Sequence, residues 1–272
     1  MKRSDLIEQI RLKNSLLCVG LDSDIERIPH HLKIKQDPVF EFNKAIIDAT
    51  HSHCVSYKIN TAFYESQGVK GWQSLEKTID YINENYSDHF TIADAKRGDI
   101  GNTADQYAKA FFEVMDFNAV TVAPYMGSDS ILPFLKYSDK FTIVLGLTSN
   151  ASASEFQLHG EHYPVYKEVL SKTATYAHSE RLMYVVGATK ADALSEIREI
   201  LPNHFLLIPG VGAQGGSLKE VLHCGLIKDY GLLINSSRGI IFASKGEDFA
   251  IKAKEAAADL QNQMSTLLQE SI

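Results

Sequence analysis

Apolar residues along the chain form short continuous runs that alternate with longer stretches in which they recur every three or four positions. Continuous runs are typical of strands buried on both faces, and the three- and four-residue spacing is typical of amphipathic helices. The predicted strands are Ser15–Leu21, Cys54–Ile59, Phe90–Ala93, Ala119–Val122, Phe141–Leu147, Leu182–Val186, His204–Ile208 and Leu232–Ile234. The predicted helices are Val39–His51, Trp72–Tyr86, Thr103–Met115, Ser128–Tyr137, Pro164–His178, Ala191–Leu201, Ser217–Cys224 and Asp248–Leu268.

This regular alternation predicts an α/β fold, a parallel sheet covered by helices. Eight strands, each followed by a helix, in 272 residues match a (β/α)8 TIM barrel. A doubly wound open sheet is the alternative. Neither a Pro/Gly/Ser-rich linker nor a sequence repeat divides the chain. We therefore expect one barrel domain over residues 1–272, with an N-terminal helical extension before the first strand.

Composition narrows the classes of function. The formal net charge of −7 argues against nonspecific nucleic-acid binding, which requires a cationic face. Residues 1–14 lack an apolar stretch long enough for a signal peptide or a membrane span. Cys18, Cys54 and Cys224 form no C-x-x-C pair, which favours neither a disulfide framework nor a zinc ribbon. We expect a cytoplasmic protein that contacts neither membrane nor nucleic acid.

Polar residues that close the apolar runs are the candidates for chemistry, because barrels of this type carry their active sites at the carboxyl ends of the strands. Strand alternation predicts that Asp94 and Lys96 point the same way. Lys58 lies at the end of the second strand, and Asp99 follows Lys96 by three residues. Two ammonium groups alternating with two carboxylates would keep every group ionised and could stabilise and protonate a carbanion. The alternative is a set of structural ion pairs at the barrel end. Residues at or just beyond strand ends are Asp22, Lys58, Asp94, Lys96, Ser149, Gln214 and Arg238.

The complete string D-A-K-R-G-D-I-G-N-T at 94–103 resembles the signature of the orotidine 5′-monophosphate decarboxylase family, in its longer bacterial form. The resemblance extends over almost the whole chain. Other matching stretches are G-L-D-S (20–23), F-Y-E-S-Q-G (63–68), T-V-A-P-Y-M-G-S-D-S (121–130), P-G-V-G-A-Q-G-G (209–216) and S-S-R-G-I (236–240).

The resemblance implies decarboxylation of orotidine 5′-monophosphate to uridine 5′-monophosphate in de novo pyrimidine biosynthesis, without a cofactor. It implies that Lys96 protonates C6 of the pyrimidine and that Lys58, Asp94 and Asp99 complete the charge network. In the family the segment containing Asp99 reaches into the neighbouring subunit, and Ile100 and Thr103 would cross with it. A homodimer with shared active sites is therefore expected.

The glycine-rich loop after the seventh strand and Arg238 after the eighth are the predicted phosphate site, since barrels often bind phosphate there. Backbone N–H groups at Gly212, a donor from Gln214 and the guanidinium would hold the anion. The alternative is a flexible turn with Arg238 in a surface ion pair. Gly210–Gly215 also satisfy G-x-G-x-x-G, with Asp229 at the spacing of a ribose-binding acid. However, a dinucleotide fold needs more strands than the one that follows.

The resemblance also assigns the rest of the nucleotide. Asp22 would accept hydrogen bonds from ribose hydroxyls, Ser149 would contact the pyrimidine edge, and Pro209 would pack near the base. Each also has a purely structural explanation: a helix cap, a loop hydrogen bond and the end of a strand. The sequence departs from the family with Ser23 after Asp22 and with Ala151-Ser152 in place of Pro-Gly, which weakens the placement of the base-binding loop.

Three alternatives for function remain. A related magnesium-dependent phosphosugar barrel shares D-x-K-x-x-D, but Arg97, Ile100-Gly101 and Thr103 favour the nucleotide enzyme. A noncatalytic phosphate-ligand sensor on the same barrel would bind nucleotide without releasing carbon dioxide. The cluster His159-Gly160-Glu161-His162 suggests a metal, although it lacks H-E-x-x-H spacing and is typical of a solvated loop.

Overall fold

The computed structural model describes residues 1–160, 163–188, 191–211 and 216–271. Its eight parallel strands close into a barrel, in which each strand pairs with the next and the eighth pairs with the first. The predicted (β/α)8 barrel is confirmed, because pairing between the first and last strands excludes an open doubly wound sheet. The strands are β1 Leu17–Gly20, β2 Ser56–Asn60, β3 Phe90–Arg97, β4 Ala119–Val122, β5 Phe141–Leu147, β6 Leu182–Val186, β7 Leu206–Pro209 and β8 Leu232–Ser236.

The longer helices that cover the barrel bury an apolar face, as α2 does with Phe42, Ile46 and Ile47. In α2, the side chain of Asp37 accepts a hydrogen bond from the Phe40 backbone N–H, and Pro38 supplies the first-turn φ angle. The helices are α1 Arg3–Lys13, α2 Pro38–Thr50, α3 Ala62–Glu65, α4 Gly68–Asn85, α5 Gly101–Lys109, α6 Ala153–Phe156, α7 Val165–Ala174, α8 Ala191–Ile200, α9 Leu218–Gly225, α10 Arg238–Ile241 and α11 Phe249–Ser271. None of the described helices combines the length and apolar character that crossing a membrane requires.

The predicted helix Ser128–Tyr137 was wrong. The structure has two short 3₁₀ turns there, Ser128–Ser130 and Phe134–Lys136. Pro133 lies between them, and a proline lacks the N–H of a continuing helix and disfavours helical geometry in the residue before it. Apolar spacing alone could not show this interruption.

The N-terminal helix α1 lies across the amino end of the barrel. Leu6 and Ile10 on this helix are fully buried, and Nζ of Lys13 donates to the carbonyl oxygens of His51 and Cys54, which precede β2. The guanidinium of Arg3 lies 4.9 Å from the ring centroid of Phe205, just before β7. Helix α1 therefore covers the amino end of the barrel, and the opposite, carboxyl end is available for a site.

Candidate active site

The carboxyl ends of the strands surround a cavity of about 470 Å³. Its wall includes residues that follow or end β1, β2, β3, β5, β7 and β8, so it is built by segments distant in sequence. The predicted site residues that line it are Asp22, Lys58, Asp94, Lys96, Ser149, Pro209 and Arg238. The structure thus brings seven of the predicted residues to one place.

One wall of the cavity carries a row of alternating charges. Nζ of Lys58 lies 2.9 Å from Oδ2 of Asp94 and 3.4 Å from Oδ1 of Asp22. Nζ of Lys96 lies 2.6 Å from the other oxygen of Asp94, Oδ1. The order is therefore Asp22, Lys58, Asp94, Lys96, in which each charge faces an opposite one. The Lys58 side chain is 6% exposed and that of Lys96 is 51% exposed, so Lys96 is the more accessible of the two lysines in the row.

This row fixes the ionisation of its buried members. Burial of Asp94 disfavours its charged form, but the ammonium groups of Lys58 and Lys96 outweigh burial and hold the pKa of the carboxyl well below its usual range. Burial likewise opposes the charge on Lys58, yet the carboxylates of Asp94 and Asp22 raise the pKa of its ammonium group above the ordinary value. Asp94 and Lys58 are therefore both charged at neutral pH.

The third strand extends beyond the predicted Phe90–Ala93, to Arg97, and its backbone is irregular at Lys96. Lys96 has φ of +46°, in the left-handed region, and the β3–β4 register shifts between Ala93 and Arg97. Asp94 and Lys96 nevertheless line the cavity together, as predicted, with their side chains in contact. A bulge of this kind redirects a side chain at the end of a strand.

Thr121 on β4 completes the charged row, and sequence reasoning missed it. Its hydroxyl donates to Oδ1 of Asp94 at 3.0 Å and accepts the backbone N–H of Lys96 at 2.9 Å. The family-like stretch 121–130 begins at this residue, but the resemblance gives its hydroxyl no role. Asn60 and Asn235 also line the cavity and were not predicted.

Known proteins are similar to this chain in sequence and in fold. Residues 15–253 match the family model described as Orotidine 5′-phosphate decarboxylase / HUMPS family. The chain belongs to this family. A relative from Flavobacterium johnsoniae, named orotidine 5′-phosphate decarboxylase, is 59% identical over 269 residues, with 98% of each chain covered. Another of that name, from Bacteroides fragilis, is 56% identical over 272 residues, with 98% of each covered.

A solved structure agrees with these sequence relatives. The structure of Leishmania donovani OMP decarboxylase matches with a TM-score of 0.81 and 36% sequence identity, covering 98% of this chain and 100% of that one. The resemblance drawn from the segment 94–103 is therefore confirmed, and so is the prediction that the chain is an enzyme of this family.

Three residues assigned by the resemblance lie away from the cavity of their own chain. Asp99, Ile100 and Thr103 are exposed, and none is among the residues that line the cavity. Asp99 accepts a hydrogen bond from the backbone N–H of Ile100 at 2.8 Å, just before α5 begins at Gly101. The family signature is thus divided between a cavity-lining half and an outward-facing half.

Part of the predicted phosphate site lies within the described residues. Arg238 is the first residue of α10 and lines the cavity together with Gly210, whose φ of +97° requires a glycine-like backbone. Gly212 and Gln214 lie outside the described residues.

The loop after β5 contains a reciprocal pair of hydrogen bonds between Thr148 and Gln157. The side chain of Gln157 accepts from the Thr148 backbone N–H at 2.8 Å and donates to the Thr148 hydroxyl at 2.7 Å. Both residues line the cavity next to Ser149. The sequence prediction included Ser149 but gave no role to Gln157.

The metal alternative involved His159 and the residues after it. Glu161 and His162 lie outside the described residues. Across the part of the chain that the structure does describe, no three His, Cys, Asp or Glu side chains are grouped so that they could hold a metal ion.

Proposed function

We propose that the chain decarboxylates orotidine 5′-monophosphate to uridine 5′-monophosphate in pyrimidine biosynthesis, without a cofactor, and that Lys96 protonates C6. The observation that carries this proposal is the alternating row of charges at the cavity wall, with the exposed Lys96 ammonium at its end. Family membership supports the choice of substrate.

The charges suggest how the carbon–carbon bond is broken. Because Asp94 stays ionised, a substrate carboxylate held beside it is repelled, and departure of carbon dioxide relieves that repulsion. The electron pair left on C6 faces the Lys96 ammonium, which stabilises it electrostatically and then supplies the proton. Lys58 keeps Asp94 in place and charged throughout.

Binding of the remote parts of the nucleotide would hold the carboxylate in this position. In our proposal Arg238, Gly212 and Gln214 bind the phosphate, and Asp22 binds the ribose. Ser149 and Pro209 contact the base. A homodimer supplies Asp99, Ile100 and Thr103 from the partner subunit, which agrees with their exposure outside their own cavity.

The test is an ultraviolet assay for loss of orotidine 5′-monophosphate, run with and without a chelator. We expect activity that the chelator leaves unchanged. We expect Lys96→Ala to lower turnover by at least about 10²- to 10⁴-fold while keeping uridine 5′-monophosphate binding, because it removes the proton donor. Lys252→Ala, which changes a surface lysine paired with Glu255, is the control and should retain turnover.

Full turnover by Lys96→Ala would reject the proposed proton donor. Loss of wild-type activity with the chelator would favour the magnesium-dependent phosphosugar barrel. Nucleotide binding without release of carbon dioxide would favour a sensor.

A further inference from the structure

The Arg97 side chain connects two consecutive strand–helix units at the edge of the charged row, the one that begins with β2 and the one that begins with β3. Nη1 donates to the carbonyl oxygen of Ala95 at 3.0 Å, and Nη2 forms an ion pair with Glu65 at the end of α3. The guanidinium also lies over two rings next to it, 5.1 Å from the centroid of Tyr107 and 5.5 Å from that of Phe111. Arg97 is thus fixed by β3, by α3 and by the α5 region together.

The carbonyl that Arg97 holds belongs to the peptide group between Ala95 and Lys96. The N–H of that same peptide group donates to the Thr121 hydroxyl at 2.9 Å. Both polar ends of the group are therefore bonded to side chains. The β3–β4 register shifts across this stretch.

The orientation of this peptide group sets the φ angle of Lys96, which is +46°. Residues other than glycine rarely adopt this left-handed conformation, because the Cβ atom approaches the backbone too closely. Something must stabilise it, and the two side chains that hold the peptide are in place to do so. With φ fixed, Nζ of Lys96 lies 2.6 Å from Asp94.

We propose that Arg97, held by Glu65, is a positioning residue that keeps Lys96 in its left-handed conformation and its ammonium group on the charged row. The inference rests on the proposed function, in which Lys96 protonates the substrate. Arg97 does not line the cavity, so it acts through Lys96 and not by contact with substrate.

Lysine cannot replace arginine here. The planar guanidinium donates in two directions while its face lies on aromatic rings, whereas an ammonium group is a single point charge. The Arg97 side chain is only 18% exposed, so water cannot readily replace the lost hydrogen bonds.

The experiment compares Arg97→Lys and Arg97→Ala with the wild type. We expect Arg97→Lys to lower kcat roughly 10- to 100-fold, because small misplacements of a reacting group cost about that much. The KM for orotidine 5′-monophosphate and the Kd for uridine 5′-monophosphate should change little. Exchange of the C6 hydrogen of uridine 5′-monophosphate with D2O should fall in parallel with kcat. Added guanidinium ion should partly restore Arg97→Ala.

Arg198→Lys is the matched control. Arg198 is also a half-buried arginine bonded to backbone carbonyls, those of Gly225, Leu201, His204 and Gly231, but it lies at the amino end of the barrel. Its variant should lower the melting temperature and leave kcat of the folded enzyme unchanged. Glu65→Gln keeps an acceptor but removes the charge, and should lower kcat less than Arg97→Lys does.

The outcomes separate the two proposals. A wild-type enzyme that releases no carbon dioxide from orotidine 5′-monophosphate contradicts the proposed function. An active wild type with unchanged kcat in Arg97→Lys and Glu65→Gln overturns the positioning role. The role is also overturned if kcat and melting temperature fall together in the Arg97 and Arg198 variants alike, or if guanidinium fails to restore a folded Arg97→Ala.

Discussion

Asp94 accepts hydrogen bonds from three side chains, those of Lys58, Lys96 and Thr121. Removing its charge would leave the buried Lys58 with the more distant Asp22 as its one remaining carboxylate partner among the described residues. An uncompensated buried charge is expensive, which makes Asp94 a residue for stability as well as for the proposed chemistry.

We expect Asp94→Asn to lower the free energy of unfolding by roughly 3 kcal/mol at pH 7, since one member of a buried charge pair is lost. Because the folded pKa of Asp94 lies below its ordinary value, the wild type has this advantage above about pH 4. The advantage is lost as the pH falls through the folded pKa. The raised pKa of Lys58 has the opposite sign, so its contribution is complete below the ordinary lysine pKa and is lost only at more alkaline pH.

Urea denaturation of both proteins from pH 7 down to pH 3 measures the effect. The difference in free energy of unfolding should shrink below about pH 4. A difference that stays constant over this range would show that Lys58 and Lys96 do not lower the pKa of Asp94.

At the scale of the element, α1 shows how one helix serves the barrel without lining the site. Its buried side chains face the amino end of the strands, opposite the cavity, while Leu12 on the same helix is 66% exposed. The helix should therefore contribute to stability and not to catalysis.

We expect Ile10→Ala to lower the free energy of unfolding by about 2–5 kcal/mol, because it leaves a void under the barrel. Leu12→Ala is the control on the same helix and should change it by less than about 0.5 kcal/mol. Chemical denaturation measures both, and kcat of the folded enzyme should be equal in the two variants. A large loss of kcat in folded Ile10→Ala would mean that α1 influences the opposite end of the barrel.

At the scale of the whole molecule, the family signature supplies one half to its own cavity and presents the other half to solvent. Lys96 reaches its own charged row, whereas Asp99 does not line that cavity. A dimer with exchanged segments would make each complete site from two chains.

This arrangement predicts complementation between two inactive variants. We expect Lys96→Ala and Asp99→Ala to be nearly inactive alone, because each lacks a group in every site. After the two are mixed and allowed to exchange subunits, mixed dimers contain one site with both groups intact. Activity per site should then approach about one quarter of the wild-type value. Activity that stays at the level of the separate variants would mean that the two residues serve the same chain.

The sequence by itself determined the barrel and most of the candidate wall. Apolar spacing is a local property, and strands with buried faces alternating with amphipathic helices leave few architectures. The barrel rule then directed attention to the ends of the strands, where Asp22, Lys58, Asp94 and Lys96 stand. The order of the family motifs supplied the rest.

Only the tertiary structure decided how these groups are held. Thr121 meets Asp94 because β4 lies beside β3, and Arg97 meets Glu65 because α3 lies beside the end of β3. The left-handed Lys96 lies where the register between β3 and β4 shifts. These features depend on contacts between segments far apart in sequence, so no local pattern of polar and apolar residues could specify them.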